Sequence, residues 1–237
     1  MSDPSTTLVR TCQFVPPYLL RRLAGSYPDR QLLATESRTL VLDGEFRQRR
    51  ATAGTGALPP AANGGNRVIH TAAGTEDLPG EVARRVGDAP TGDVAVDEAF
   101  DYSGEAWDTF AEQFGRQSVD GQGTAITVTV HFGTRYDNAF WDGAQLVFGD
   151  GDGEIFDRFT KPRDVMAHEF THGVTQFTAG LAYEGQSGAL NESVSDVFAS
   201  LAKQRALGQT AEEADWLIGE GLFLPGVQAR ALRSMVE

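Results

Sequence analysis

The sequence predicts an α+β fold, with a β-rich N-terminal lobe followed by a buried helix and then by the start of a helical lobe. Two patterns lead to this expectation. Alternating polar and apolar residues over 124–132 predict a strand, and residues 144–148 predict another. Apolar residues at helical spacing over 104–116, and repeatedly after residue 164, predict helices. Strands therefore dominate the first part of the chain, and helices dominate the last.

The N-terminal region is expected to be a unit of its own. Pro16 and Pro17 would start a helix whose apolar face carries Leu19, Leu20 and Leu23. Residues 51–66 are rich in small and turn-forming residues, a composition typical of a linker. The sequence thus predicts a short helical segment joined flexibly to the rest of the chain.

Composition and charge exclude several classes of protein. The chain has 237 residues, enough for one or two domains, and a net charge of -13, which disfavours nucleic acid and anionic membranes as partners. No apolar run approaches the ~18 residues of a membrane span. The opening residues lack the basic and apolar regions of a Sec signal peptide. Since Cys12 is the single cysteine, an intrachain disulfide is excluded.

The most informative motif is His168-Glu169-Phe170-Thr171-His172. Residues four apart share one face of a helix, so both imidazoles can reach one metal ion while Glu169 lies close enough to take a proton from water. Apolar residues at helical spacing surround the motif, and Gly180 is suited to end the helix. The spacing is that of a zinc hydrolase.

A catalytic zinc usually has three protein ligands, and Glu192 is the candidate for the third. It lies in a second predicted helix, where Glu192 and Asp196 share a polar face. Five apolar residues repeat at helical spacing and form a different face of this helix: Leu190, Val194, Val197, Phe198 and Leu201.

Two further motifs have simpler interpretations. His131 belongs to the alternating run, and we expect a strand residue rather than a ligand. Residues 149–153, Gly-Asp-Gly-Asp-Gly, resemble the opening of an EF-hand loop but lack the closing acidic position. We predict a turn there.

Several motifs in one order resemble the thermolysin-like neutral metallopeptidases, most closely their protealysin-like subgroup. They lie at 93–102, 138–143, 149–153, 168–172, 191–196 and 232–235. The resemblance implies a thermolysin-like (zincin) α+β fold with the zinc helix between two lobes. It divides the chain into a short propeptide (1–50), a linker (51–66), a β-rich lobe (67–163) and the zinc helix with a truncated helical lobe (164–237).

Matched residue by residue, the resemblance implies a role for each of several residues. His168, His172 and Glu192 would bind one zinc ion, Glu169 would be the general base, and Asp196 would orient His168. Tyr183 would stabilise the oxyanion. The pocket for the side chain after the scissile bond would be formed by four apolar residues: Phe156, Phe159, Val165 and Leu232. The substrate main chain would be held by three other residues: Asn138, Ala139 and Arg233.

The implied function is that of a zinc metalloendopeptidase precursor that acts on peptides or proteins and prefers an apolar residue after the scissile bond. The family continues beyond the position of Met235 through a lobe with a further catalytic histidine and its aspartate partner, which have no counterpart here. An alternative is therefore a catalytically silent zinc-binding protein that serves as a binding or inhibitory module. The sequence leaves open whether the chain is a fragment or a natural truncation.

The resemblance also bears on calcium. Three positions of the family's calcium cluster match Asp164, Asp215 and Glu220, but Lys203 stands where a further glutamate is expected. An ammonium group among these carboxylates would repel the ion, so we expect no tight calcium there.

The segment around Cys12 resembles the short propeptide of the subgroup. The thiolate could cap the zinc site, or Cys12 could be only a small apolar residue. Proteolytic removal of the propeptide is expected at or near the linker, because nicking concentrates in exposed flexible segments. We expect synthesis in the cytoplasm and export by a non-classical route.

Overall fold

A computed structural model describes residues 13–26, 35, 37–45 and 66–236. Cys12 and residues 51–65 lie outside these ranges. The predictions made for the Cys12 thiol and for cleavage at the linker therefore concern residues outside the described part of the chain. Two short helices precede the main body, α1 at Pro17–Ser26 and α2 at residues 37–45. Helix α1 begins at the proline pair, as its sequence predicts.

A five-stranded mixed sheet forms the N-terminal lobe. Its strands are β1 (Arg67–Thr71), β2 (Glu81–Arg85), β3 (Ile126–Val130), β4 (Ala139–Trp141) and β5 (Leu146–Phe148). They lie in the order β2-β1-β3-β5-β4. The central β1, β3 and β5 are parallel, and β2 and β4 pair antiparallel at the two edges. The edge position of β4 leaves Ala139 next to the cleft.

The strand predicted over residues 124–132 is shorter than expected. It ends at Val130 because His131 has a positive φ of 55°, which turns the chain out of the sheet. The prediction that His131 is a strand residue is therefore wrong. Residues 149–153 form an irregular turn, in which the Asp152 carboxylate accepts hydrogen bonds from three successive main-chain N–H groups.

Helix α3 spans Val94–Phe114 and packs against the sheet and the next helix. The Asp93 side chain caps its N-terminus by accepting bonds from the N–H groups of Ala95 and Val96. Gly115, at a φ of 64°, ends it in a left-handed conformation. The predicted helix over 104–116 is thus only the second half of α3. The earlier turns also carry a buried apolar face, formed by Ala95, Val96, Ala99 and Phe100, which was not recognised in the sequence.

The motif helix α4 spans Arg163–Gln176 and packs beside α5, which spans Gly185–Leu207. Helix α4 is buried along most of its length, in keeping with a central position between the lobes. A two-stranded sheet of β6 (Leu217–Ile218) and β7 (Arg233–Ser234) follows α5. Strand β7 brings Arg233 back to the cleft.

The apolar face of α5 is only partly covered, with the Phe198 ring stacked on the Phe110 ring at a centroid distance of 5.0 Å. Leu190, Val197 and Leu201 are 52%, 37% and 38% exposed. The buried residues of α5 are small or polar instead: Asn191, Ser195, Ala199, Ser200, Ala202 and Gln204. This face has to approach α4 closely and to hydrogen-bond with its imidazoles, so a stripe of leucine and valine could not occupy it.

Among the described residues, no helix is both long enough and apolar enough to cross a bilayer.

Candidate active site

Helix α4 brings two imidazoles together at the floor of the cleft. His168 and His172 are fully buried, and their Nε2 atoms lie 3.0 Å apart. Glu169 is also fully buried, and one potential ligand atom from each of the three residues fits within 4.8 Å of the others. The i, i+4 spacing on one helix is what produces this convergence.

Helix α5 adds a carboxylate from the opposite side. Glu192 Oε2 lies 3.3 Å from Nε2 of His168, and Glu192 Oε1 lies 3.9 Å from Nε2 of His172. The carboxylate is partly exposed, so this side of the cluster is open to solvent. The three side chains named as ligands thus meet at one point, although Glu192 is twenty residues away from His172 in the chain.

The far nitrogen of each imidazole has a partner on α5. Asp196 Oδ1 lies 2.8 Å from Nδ1 of His168. Asn191 Oδ1 and Ser195 Oγ each lie 2.9 Å from Nδ1 of His172. An oxygen acceptor at Nδ1 fixes the tautomer in which Nε2 carries the lone pair. The sequence analysis assigned no role to Asn191 or Ser195, although both belong to the motif at 191–196.

This arrangement fits zinc. With acceptors at both Nδ1 atoms, the two Nε2 atoms carry lone pairs that face each other at 3.0 Å, and the Glu192 carboxylate lies beside them. These electron-rich atoms repel one another unless a cation lies between them. Burial opposes a charge on His168, but Asp196 and Glu192 outweigh burial and raise its pKa to about 10. These carboxylates therefore favour a positive charge at this point, which a bound cation would supply in place of the proton on Nε2. Two imidazoles and one carboxylate are the donor set of a catalytic zinc that keeps one position open.

Arg233 is joined to the same network. Its Nε and Nη2 donate to the two oxygens of Asp196 at 2.8 and 2.7 Å. Burial opposes the charge on Asp196, but His168 and Arg233 together hold the pKa of this carboxyl far below its usual range. Asp196 therefore links the proposed zinc ligand His168 to a cation that faces the cleft.

The remaining predicted residues line the same cleft. The Tyr183 ring lies 5.7 Å from that of His172, centroid to centroid. Phe156, Phe159 and Val165 are fully buried in one apolar cluster, and the half-buried Leu232 packs against it. The Phe156 and Phe159 rings lie 5.7 Å apart, centroid to centroid, and Val165 lies three residues before His168 on α4.

The cleft contains a segment of the chain itself, which the sequence analysis did not foresee. Phe14 and Val15 make main-chain hydrogen bonds with Asn138, Ala139 and Arg233, the three residues expected to hold a substrate. The Phe14 side chain is fully buried in the same cluster as the pocket residues. The contacts that hold this segment in the cleft join residues more than a hundred positions apart in sequence. No local sequence pattern predicts such contacts.

Helix α2 anchors this N-terminal region to the lobe below it. Tyr136 donates its hydroxyl to Asp43 Oδ1 at 2.5 Å, and Asn138 Nδ2 donates to Asp43 Oδ2 at 3.1 Å. The Asp137 N–H donates to Thr39 Oγ1 at 3.2 Å. Asp43 and Thr39 are both buried, so these bonds are shielded from water.

Lys203 lies at the centre of the carboxylate cluster that resembles a calcium site. Its Nζ donates to both oxygens of Asp215 at 3.0 Å. It also lies 3.6 Å from a Glu220 oxygen and 3.8 Å from an Asp164 oxygen. Burial raises the pKa of Asp164 to about 6 despite the nearby ammonium.

Comparison with known proteins agrees with this geometry. Two family models match the chain: thermolysin metallopeptidase, catalytic domain, over residues 72–176, and thermolysin metallopeptidase, alpha-helical domain, over residues 179–237. An extracellular metalloprotease of Pectobacterium carotovorum is 46% identical, with 94% of this chain and 64% of the relative covered. Protease PrtS of Photorhabdus is 40% identical, with 94% and 61% covered.

A solved structure shows the same fold. The precursor of protealysin, a metalloproteinase from Serratia proteamaculans, superposes with a TM-score of 0.83 at 46% identity, covering 96% of this chain and 66% of that one. The chain thus spans slightly less than two thirds of the length of these relatives. These matches confirm the predicted thermolysin-like α+β fold. The chain belongs to the thermolysin metallopeptidase family and is similar to its protealysin precursor.

Proposed function

We propose that the chain is the precursor form of a zinc metalloendopeptidase. One observation carries this proposal: two buried imidazoles with Nε2 atoms 3.0 Å apart, next to Glu169 and within reach of Glu192. His168, His172 and Glu192 would hold one zinc ion. When bound, zinc would polarise a peptide carbonyl and lower the pKa of water to about 7.

The chain's own groups would supply the rest of the chemistry. Glu169, one residue after the first histidine, would take a proton from the attacking water and deliver it to the leaving nitrogen. Its complete burial supports this role, because a carboxylate removed from bulk water is a stronger base. Tyr183 would donate a hydrogen bond to the oxygen on which negative charge develops.

Substrate binding would use main-chain bonds and one apolar pocket. Asn138 and the backbone of Ala139 would pair with the substrate main chain, and Arg233 would donate to the carbonyl beyond the scissile bond. The pocket formed by Phe156, Phe159, Val165 and Leu232 would favour an apolar side chain after that bond, because it would strip water from any charged group. The fully buried ring of Phe14 in this cluster supports that preference.

Residues 1–50 would act as a propeptide that keeps the enzyme latent. Phe14 and Val15 already use the hydrogen-bonding groups that a substrate would need. Asp43 and Thr39 tether the region through buried bonds. Activation would then require release of α1 and α2 from the cleft. Proteolytic cleavage at or near residues 51–66 would separate them from the rest of the chain.

A bound calcium ion is not expected at the Lys203 cluster. The ammonium group contacts Asp215 and lies within 4 Å of Glu220 and Asp164, so it supplies the positive charge that these acids require. A relative named as an extracellular metalloprotease supports action outside the cell. We propose a non-classical route of export.

Metal content and turnover together test the proposal. The wild-type chain should bind one equivalent of zinc, measured by elemental analysis after dialysis, and His172→Ala should lose it. His70→Ala, a change on strand β1, is the matched control and should keep its zinc. Once residues 1–50 have been released by cleavage within residues 51–66, a quenched peptide with phenylalanine after the scissile bond should be hydrolysed, and removal of zinc should abolish this. A folded chain that binds no zinc would refute the proposal.

A further inference from the structure

The segment at residues 13–15 lies in the cleft with a defined direction and register. The Phe14 N–H donates to the Ala139 carbonyl at 3.1 Å, and the Val15 N–H donates to Asn138 Oδ1 at 2.8 Å. Asn138 Nδ2 donates to the Val15 carbonyl at 3.2 Å, and Arg233 Nη1 donates to the Phe14 carbonyl at 2.9 Å. Four main-chain bonds over two residues fix which peptide group lies at each point of the cleft.

The Phe14 side chain fixes the same register independently. Its ring meets the His168 ring edge-on at a centroid distance of 5.3 Å. It also lies against Gly219, where an added methyl group would come within 3.1 Å of the ring. Phe14 therefore occupies the apolar pocket next to the proposed zinc ligands.

Arg233 identifies the bond that is presented for reaction. In the proposed enzyme this guanidinium binds the carbonyl of the residue that follows the scissile bond, and here that carbonyl belongs to Phe14. Phe14 also lies beside Leu232, one of the residues proposed to form the pocket, because a methyl group added at Gly219 would meet the Phe14 ring at 3.1 Å and Leu232 Cβ at 3.3 Å. The peptide bond immediately before it, Gln13–Phe14, then lies at the reactive position.

We propose that the chain cleaves its own Gln13–Phe14 bond within a single molecule, in a step that rests on the proposed peptidase function. The water oxygen adds to the Gln13 carbonyl carbon and the bond from this carbon to the Phe14 nitrogen breaks. Glu169 carries one water proton to that nitrogen. The products are residues 1–13 with a new carboxylate and a chain that begins at Phe14.

Burial of Gln13 favours this cut. The residue is only 3% exposed, and neither its side-chain oxygen nor its nitrogen has a hydrogen-bond partner among the described residues. An unpaired buried polar group destabilises the bound segment, and that cost disappears when residues 1–13 leave. By contrast, Asp43 and Thr39 hold residues 14–45 in place after the cut.

The reaction is intramolecular because the bond is already bound. Groups held in reactive geometry reach effective concentrations of about 10⁵–10⁸ M, far above those of any second molecule. Cleavage at Gln13–Phe14 would therefore precede the cut proposed at residues 51–66, and it would remove only the segment that precedes the cleft.

Intact-mass measurement on the full chain, loaded with zinc, tests this directly. The wild type should convert to a species that begins at Phe14, at a rate independent of protein concentration. Glu169→Ala should keep its full mass. An isotopically labelled Glu169→Ala chain mixed with wild type should also keep its full mass, because the wild type would not cleave a second molecule at this bond. Phe14→Asp should slow the conversion at least 100-fold, because the pocket would have to desolvate a carboxylate.

A second readout needs no turnover. In the Glu169→Ala chain, hydrogen exchange should show protected Phe14 and Val15 amides, since both donate to cleft acceptors. If the wild type keeps Gln13–Phe14 intact while Phe14→Ala cleaves an added peptide, the self-cleavage is overturned and the peptidase function stands. If the wild type keeps this bond and Phe14→Ala cleaves no peptide, both are wrong. Unprotected amides would also overturn the proposed register.

Discussion

Asp196 lies 2.8 Å from Nδ1 of His168. It is one helical turn beyond Glu192, whose carboxylate lies 3.3 Å from Nε2 of the same ring. Because Asp196 also receives two hydrogen bonds from Arg233, a single carboxylate connects the metal side of the cleft with its substrate side. Changes at Asp196 should therefore affect both metal affinity and peptide binding.

Asp196→Asn should weaken zinc binding by about 10–100-fold, the usual effect of losing the partner of a ligand imidazole. The amide keeps the size of the side chain but removes the charge that favours a cation at His168. Competition with a chelator of known affinity measures this. Asp101→Asn, an exposed carboxylate on α3, is the control and should change nothing. Equal zinc affinity in Asp196→Asn and wild type would contradict the proposed role.

Phe14→Ala should raise the initial rate at which the intact chain cleaves an added peptide. Truncation of a buried phenylalanine typically costs about 3–5 kcal/mol, so the inhibitory segment should leave the cleft about 10²-fold more often or more. Tyr18→Ala, at a 69% exposed position on α1, should have no such effect. If both variants matched the wild type, the segment would not control access to the cleft.

Lys203→Met should destabilise the fold by about 3–5 kcal/mol, because it leaves the buried Asp164 beside two further carboxylates without a counter-charge. Added calcium should then restore part of the lost stability, whereas wild type should not respond. Thermal unfolding with and without millimolar calcium measures both effects. Lys161→Met serves as the surface control. A wild-type melting temperature that rises with calcium would show that Lys203 does not replace the ion.

His131→Asn should destabilise the protein more at low pH than at high pH. His131 contacts Asp150 through Nδ1 and Asp93 through Nε2, and the bond with Asp150 is the main reason its pKa is raised. A raised pKa in the folded state means that the stabilisation is complete below the unfolded value of about 6.5 and disappears as the pH rises through the folded value.

Asparagine suits the left-handed backbone at position 131, where φ is 55°, so the comparison isolates the charge. Urea unfolding of both chains at a series of pH values measures the effect. A difference in unfolding free energy that stays constant across this series would contradict a charged His131.

The sequence was sufficient for features that depend on local spacing. His168 and His172 converge because four residues make one helical turn, and the order of motifs along the chain identified Glu192 and the α+β fold. The start of α1 at Pro17 also followed from local chemistry.

Features that depend on distant contacts could not be predicted. Phe14 meets Arg233 across 219 positions, and Val15 meets Asn138 across 123. The inward face of α5 could not be predicted, because apolar periodicity cannot show that this face must be small and polar to reach the histidines. His131 was placed in a strand because a single left-handed residue leaves no mark on an alternating pattern.

The most direct test of the account compares Phe14→Ala with the double variant Phe14→Ala/Glu169→Ala, each at a measured zinc content. The substrate is a quenched peptide with phenylalanine after the scissile bond. We expect one zinc in both chains and a loss of about 10²–10⁴ in turnover when Glu169 is removed, because general-base catalysis is lost while the ligands remain. Equal turnover by the two chains would contradict the assignment of Glu169 as the general base of a zinc peptidase.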